Sequence, residues 1–275
     1  SADHMLLMAE LEKEKKMSSL QALESEYPEL DRCIISGYRG SIAHGMYVPP
    51  KEPTSIDDKD LMYIVVPDIN HYYGLKEYGS RGTKEIKRNE WDLVVYEAKK
   101  FINLLAQGNP NVLMMLWLTP QYYTRISNAG QLLIDNKSVF VGRHVYRAFT
   151  GYAYSQLHRM THNAFQGHMG DKRRKLVEQF GFDTKNAAHL VRLLRMGIEF
   201  LKDGELEVER RDASQLLEIK KGEWPLEKIT AEAERLFKVS EEAYQNSKLP
   251  YQPDMVEVNK LAVSVVETAF EEFGK

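Results

Sequence analysis

The sequence predicts an α+β fold, an N-terminal α/β unit followed by a C-terminal helical unit. Two observations carry that reading. Short apolar runs bounded by turn residues, the kind that form buried strands, are confined to the first half of the chain. Beyond about Phe140 the strand signals stop, and the remainder reads as helices separated by Gly, Asp or Pro breaks. A chain of 275 residues can hold one large domain or two modest ones, and we divide it at residues 5–135 and 136–275.

The elements follow from local chemistry. Leu6 to about Glu26 is rich in Leu, Met, Ala, Glu and Lys with apolar residues at helical spacing, and Pro28 stops it. Arg32 to Ser36 reads as a short buried strand running into the turn Gly37-Tyr-Arg-Gly40-Ser41. Ile42 to Ile56 carries Pro49, Pro50 and Pro53, which neither continue a helix nor enter a central strand, so we read it as a loop. Leu61 to Val66 and Trp91 to Tyr96 are the next strands, followed by a helix from about Ala98 to Gln107 that Gly108-Asn109-Pro110 terminates. Three helices are read in the second half. One is capped by Asp183 or Thr184 and runs to about Leu201, one spans roughly Pro225 to Gln245, and one spans Met255 to Phe273.

Composition excludes several classes. A hydrophobic share of 43% with 28% charged residues suits a folded globular protein rather than a disordered or fibrous one. No apolar run approaches the roughly 20 residues of a membrane helix, and no signal-peptide pattern opens the chain, so we expect a cytoplasmic protein. Ser1 to His4 resembles a cloning remnant ahead of Met5. A lone Cys33 in an apolar stretch reads as packing, and His158, His162 and His168 lack the spacing or the cysteines of a zinc site. The net charge of −3 gives no global attraction to nucleic acid, which leaves local basic clusters as the polyanion candidates.

The chemistry is carried by aspartates. Asp58 and Asp60 stand two apart at the entry to an apolar strand, and strand alternation turns both to one face, with Met62 and Ile64 behind them. Carboxylates crowded there repel one another unless a cation neutralises them, and Mg²⁺ takes such oxygens together with substrate phosphate. Asp92, flanked by Trp91 and Leu93 in a later strand, supplies a third carboxylate where an unpaired charge is costly. Three carboxylates from two strands can hold two metal ions for phosphoryl or nucleotidyl transfer. Upstream, Gly40 lets a polyphosphate approach the main chain, and Ser41 offers a hydroxyl and an amide N–H.

Gly40-Ser41 followed by Asp58-x-Asp60 and Asp92 resembles the nucleotidyltransferase pattern of the DNA polymerase beta superfamily. The context is similar to its bacterial and phage branch, the YcgL-like or RlaP family associated with RNA repair. The resemblance is carried by Gly40-Ser-Ile-Ala-His-Gly45, Lys100-Phe-x-x-Leu104, Asn109-Pro110-Asn111, the stretch from Gly181 to Arg195, and Gly222-Glu-Trp-Pro-Leu226, and it spans roughly Tyr27 to Glu271. It departs at Asp57, where the branch often has Ser, which adds a competing metal ligand, and at His44, where relatives often carry an aromatic residue.

The resemblance implies a polymerase-beta-type nucleotidyltransferase α/β domain with a mixed sheet, ahead of the helical domain. It also implies transfer of NMP from an NTP such as ATP to an acceptor hydroxyl, with Mg²⁺, or Mn²⁺ in its place, at Asp58, Asp60 and Asp92. An RNA 3′ end, for instance of tRNA, is the first choice of acceptor. A protein hydroxyl, as in antitoxin-like AMPylating members, is the second, and a non-catalytic nucleotide-binding module is the rival from another class.

In the helix from Thr184, a turn of about 100° per residue places Lys185, His189 and Arg192 within about 60° of one another. Periodicity alone reads that face as charged and solvated. The resemblance turns it instead toward the nucleotide. Lys172-Arg-Arg-Lys175 is a second basic run, read as a solvated helix start or as a contact to an RNA backbone.

Overall fold

The computed structural model describes residues 1–49, 57–162 and 171–275, with main chain alone at 12–18, 161, 162, 171–173 and 176. Five strands form one mixed sheet in the order β3-β4-β2-β1-β5. They are β1 (Cys33–Tyr38), β2 (Lys59–Val65), β3 (Thr83–Arg88), β4 (Trp91–Glu97) and β5 (Tyr123–Ile126). β2 and β4 are parallel, whereas β1 runs antiparallel to both β2 and β5, and β3 antiparallel to β4.

The helices in the first half are α1 (Ala2–Ser25), α2 (Gly40–His44), α3 (Ala98–Ala106), α4 (Pro110–Leu113) and α5 (Asn128–Asp135). The second half holds α6 (Val145–His162), α7 (Asp171–Phe180), α8 (Thr184–Asp203), α9 (Ala213–Lys220), α10 (Leu226–Asn246) and α11 (Met255–Phe273). Asp183 caps α8, its carboxylate accepting from the Asn186 N–H at 3.0 Å, and Gly204 closes the helix in the left-handed conformation. None of the helices among the described residues is long and apolar enough to cross a membrane.

The α+β class and the mixed sheet hold, with two strands added and one loop corrected. β3 and β5 carry no apolar run in the sequence. Both are sheet edges, and their sequences, Thr-Lys-Glu-Ile-Lys-Arg and Tyr-Thr-Arg-Ile, are largely exposed, as edge strands are when charge discourages further pairing. The loop expected from Ile42 begins instead inside α2. Gly40 enters that helix at φ +65, and Gly45 ends it at φ +76. Residues 50–56, including Pro50 and Pro53, lie outside the described residues.

The sheet separates two cores. α1 covers one face, where Leu20 and Leu23 meet Leu61, Tyr63, Val65, Leu93 and Val95. The other face carries Met62, Ile64 and Val94, and its core continues without interruption through Phe101 and Phe149 to Leu190, Leu236 and Val265. That larger core joins residues on both sides of position 135. α8 lies at its centre, packed on α6, α9 and α10, while α11 returns to cover α3 and α5.

Candidate active site

Parallel pairing of β2 with β4 places Asp60 directly across from Asp92. Both are on the face of Met62 and Val94, so their side chains look toward the helices rather than toward α1. The turn from β1 into α2 closes over Asp60, since a Cβ added to Gly40 would stand 2.7 Å from Asp60 Oδ2. Only glycine leaves that space and adopts the positive φ.

These residues line a cavity of about 550 Å³ between the strand ends and helices α6 and α8. Gly40, Asp58, Asp60, Asp92, Lys185, His189 and Arg192 all reach it, as the sequence expects. Ser41 does not. It is buried in α2, away from the cavity wall. Asp57, which by its place beside Asp58 could compete for metal, is withdrawn as well: its side chain is 0% exposed and sits in an ion pair with Lys220 and, at 3.3 Å, with Lys185.

The solvated face that periodicity alone assigns to α8 is what needs correction. α8 is packed on nearly every side, so Lys185, His189 and Arg192 do not form a solvated stripe. Arg192 is 7% exposed, with Nη1 3.4 Å from Met196 Sδ and Nη2 3.2 Å from His189 Nδ1. Its Nε finds no hydrogen-bond acceptor among the described residues. Burial, with Arg210 adding repulsion, pushes its pKa down to about 9, which leaves it cationic at neutral pH. His44 beside it is held well below the usual imidazole range, chiefly by burial and then by the Arg192 charge, so it is neutral. Its Nδ1 is 2.9 Å from the Val208 carbonyl.

The acid side of the cavity is strained in the opposite sense. Burial raises Asp60 to about 6 and outweighs the help of Arg39 and Lys185, which repulsion from Asp92 and Asp58 in part offsets. Asp92 has two distant cationic neighbours, Arg39 Nη2 and Lys87 Nζ, each at 3.9 Å. Among the described residues no three His, Cys, Asp or Glu side chains are already gathered as a metal-holding group. The main chain nevertheless sets Asp60 and Asp92 side by side, and a carboxylate whose charge is disfavoured by burial is the donor that gains most from a divalent cation. The donor set fits Mg²⁺.

The sequence pattern of the family described as "RlaP: RNA repair pathway DNA polymerase beta family" matches residues 12–264. The chain belongs to that family. It is thereby a nucleotidyltransferase of the polymerase beta type. Among solved structures it is similar to a nucleotidyltransferase-like protein from Exiguobacterium sibiricum, with 12% identity over 94% of this chain and 77% of that one. The TM-score of 0.28 is too low for that likeness to add to the argument. No curated protein matches the sequence.

Several wall residues of this RlaP-family chain were not assigned to the site from the sequence. Arg39 immediately precedes the Gly40 turn, and its Nε has no acceptor among the described residues. Lys87 comes from the unrecognised strand β3. Tyr152, Ser155, Gln156 and Arg159 form the opposite wall on α6. Their spacing of three, four and seven is one helix face, a polar stripe legible in the sequence once α6 has a cavity to look into.

Proposed function

We propose that the chain transfers an NMP unit from an NTP to an acceptor hydroxyl and releases pyrophosphate, in a Mg²⁺-dependent reaction. The observation that carries the reading is the composition of one cavity wall. Carboxylates on β2 and β4 face the guanidinium groups of Arg39, in the turn between β1 and α2, and of Arg192 on α8, whose Nε atoms have no acceptor among the described residues. Such a division suits a ligand that is itself a polyanion bound with a divalent cation.

In this reading Asp58 and Asp60 would hold two metal ions, and Asp92 would hold the catalytic one of them. The metal, when bound, neutralises phosphate charge and lowers the pKa of the attacking hydroxyl. The acceptor oxygen bonds to the α-phosphorus as the bond to the α,β-bridging oxygen breaks. The hydroxyl proton passes to Asp92, and pyrophosphate leaves with the electron pair. Lys185, His189 and Arg192 hold the triphosphate, and Gly40 lets it approach the main chain. Residues 5–135 act as the nucleotidyltransferase unit and 136–275 as the helical unit that closes the cavity.

We assign the acceptor as an RNA 3′ end, which the family's RNA-repair description supports. Arg174 and Lys175 are exposed on α7, whereas the side chains of Lys172 and Arg173 lie outside the described residues. Incubation with each labelled NTP, Mg²⁺, total RNA and cell lysate tests the assignment. Label is expected in RNA and absent with Asp58→Ala. Label in protein alone would select protein nucleotidylation, and NTP binding without turnover would select a non-catalytic module.

A further inference from the structure

We infer that Asp57 is a positioning residue that holds Lys185 beside the cavity and, with Lys220, sets how readily that lysine is released to the nucleotide. The inference rests on the reading of the cavity as an NTP site. Asp57 directly precedes Asp58, yet its carboxylate points into the interior, where Oδ2 accepts from the Val48 N–H at 2.7 Å and pairs with Lys220. Lys220, the last residue of α9 and itself buried, also donates to the Met46 carbonyl at 2.7 Å. It is thereby fixed, and it does not reach the cavity.

Lys185 is held differently. Its ammonium lies 3.3 Å from Asp57 Oδ1, an approach too poorly aligned to count as a hydrogen bond, and the same side chain lines the cavity. One carboxylate therefore serves two ammonium groups. Lys185 also sits in the first turn of α8, where the helix dipole disfavours a cation and favours a phosphate. Asp57 can give up Lys185 without becoming an unpaired buried charge, because Lys220 and the Val48 N–H remain on Oδ2. Lys220 thus keeps the hold of Asp57 on Lys185 weak, and the surplus positive charge is directed at the incoming polyphosphate.

The test measures the affinity of the full chain for a non-hydrolysable NTP analogue with Mg²⁺, beside KM, kcat and Tm. Lys220→Met leaves Asp57 with Lys185 as its one ammonium partner among the described residues. Analogue affinity is expected to fall about tenfold and KM to rise in proportion, with kcat changed by less than about threefold. In Lys185→Ala/Lys220→Met the affinity should fall no further than in Lys185→Ala alone, because both changes act through one lysine. Asp57→Asn/Lys220→Met frees Lys185 again, and its affinity should return to that of the wild type or above.

A merely structural role would lower Tm in the double variant without this recovery. Unchanged affinity in Lys220→Met, or no recovery in Asp57→Asn/Lys220→Met, overturns the positioning role while leaving the NTP site standing. Unchanged affinity in Lys185→Ala overturns the assignment of Lys185 to the nucleotide, and the positioning role with it.

Discussion

At the scale of single residues, the cavity groups are held in states that their surroundings oppose, and this separates stability from function. Asp60 has a folded pKa of about 6, above its ordinary value of 3.8, with burial as the first cause. Its neutral form is the one the fold favours. The corresponding stability is fully present below about pH 4 and is lost as pH rises through about 6. Asp60→Asn should therefore raise the metal-free Tm at pH 7.5 by several degrees, on the order of 2 kcal/mol. The advantage over wild type should shrink as pH falls toward 4. The same variant should lose transfer by more than about 100-fold and lose any Tm increase on adding Mg²⁺. A Tm gap that is constant with pH would show that Asp60 is not the strained group. Arg192 follows the same logic with the opposite charge. Replacing its buried guanidinium with the similar-sized Met should maintain or raise Tm, because an incompletely paired buried charge is removed. NTP affinity should fall by about tenfold or more. Calorimetric melting and analogue titration of Arg192→Met check both halves, and a large drop in Tm would mean that the guanidinium has a structural partner.

At the scale of elements, a turn and a helix define the cavity. The β1-to-α2 turn needs glycine at position 40 for both its φ of +65 and the 2.7 Å approach to Asp60. Gly40→Ala should cost about 1–2 kcal/mol in stability from the left-handed backbone alone. It should also displace the Asp60 carboxylate, so activity should fall more than the reduced stability explains. Activity per folded molecule, measured well below Tm, separates the two effects, and equal activity would place Asp60 outside the reaction. For α8, the structure changes what substitution should do. Lys185 is not on a free polar face, because it pairs with a buried carboxylate, so Lys185→Ala is expected to lower Tm as well as NTP affinity. The periodicity of α8 concealed this. Arg192 and Lys185 are polar by type, and the 3.6-residue period assigns polar residues to water unless another element covers them. Here α6, α9 and α10 surround the helix.

At the scale of the whole molecule, the chain closes on itself. Arg32 donates to the carbonyls of Phe273 at 3.2 Å and Gly274 at 2.8 Å, and Ile69 N–H reaches the Lys275 carbonyl at 2.7 Å. The end of α11 is thus tied to the start of the sheet, and the cavity wall formed by α6 and α8 is held against β2 and β4 by one continuous core. The proposed RNA acceptor would approach this assembly from outside, and the basic run from Lys172 to Lys175 in α7 is our choice for gripping its backbone. Changing all four to Ala should lower RNA affinity and reduce the slope of log affinity against log salt by roughly 0.7 to 0.9 for each phosphate no longer neutralised. RNA binding across a salt series checks this, and an unchanged slope removes the run from the acceptor site.

The sequence by itself determined the α+β class, the capped start of α8, the span of α11, and the order of Gly40, Asp58, Asp60 and Asp92. Each depends on neighbours along the chain: strand alternation, a capping side chain, a terminal glycine, an apolar run. Tertiary structure alone decided the rest. β3 and β5 become strands because a neighbouring edge offers hydrogen bonds, not because their own residues are apolar. Asp57 looked like a metal ligand from its position beside Asp58, and was reassigned by Lys220, which lies 163 residues away in sequence. Arg39, Lys87 and the polar face of α6 enter the cavity only when three distant segments are brought together. Periodicity reports which way a side chain leaves its own element. What it meets there depends on partners that the local sequence does not contain.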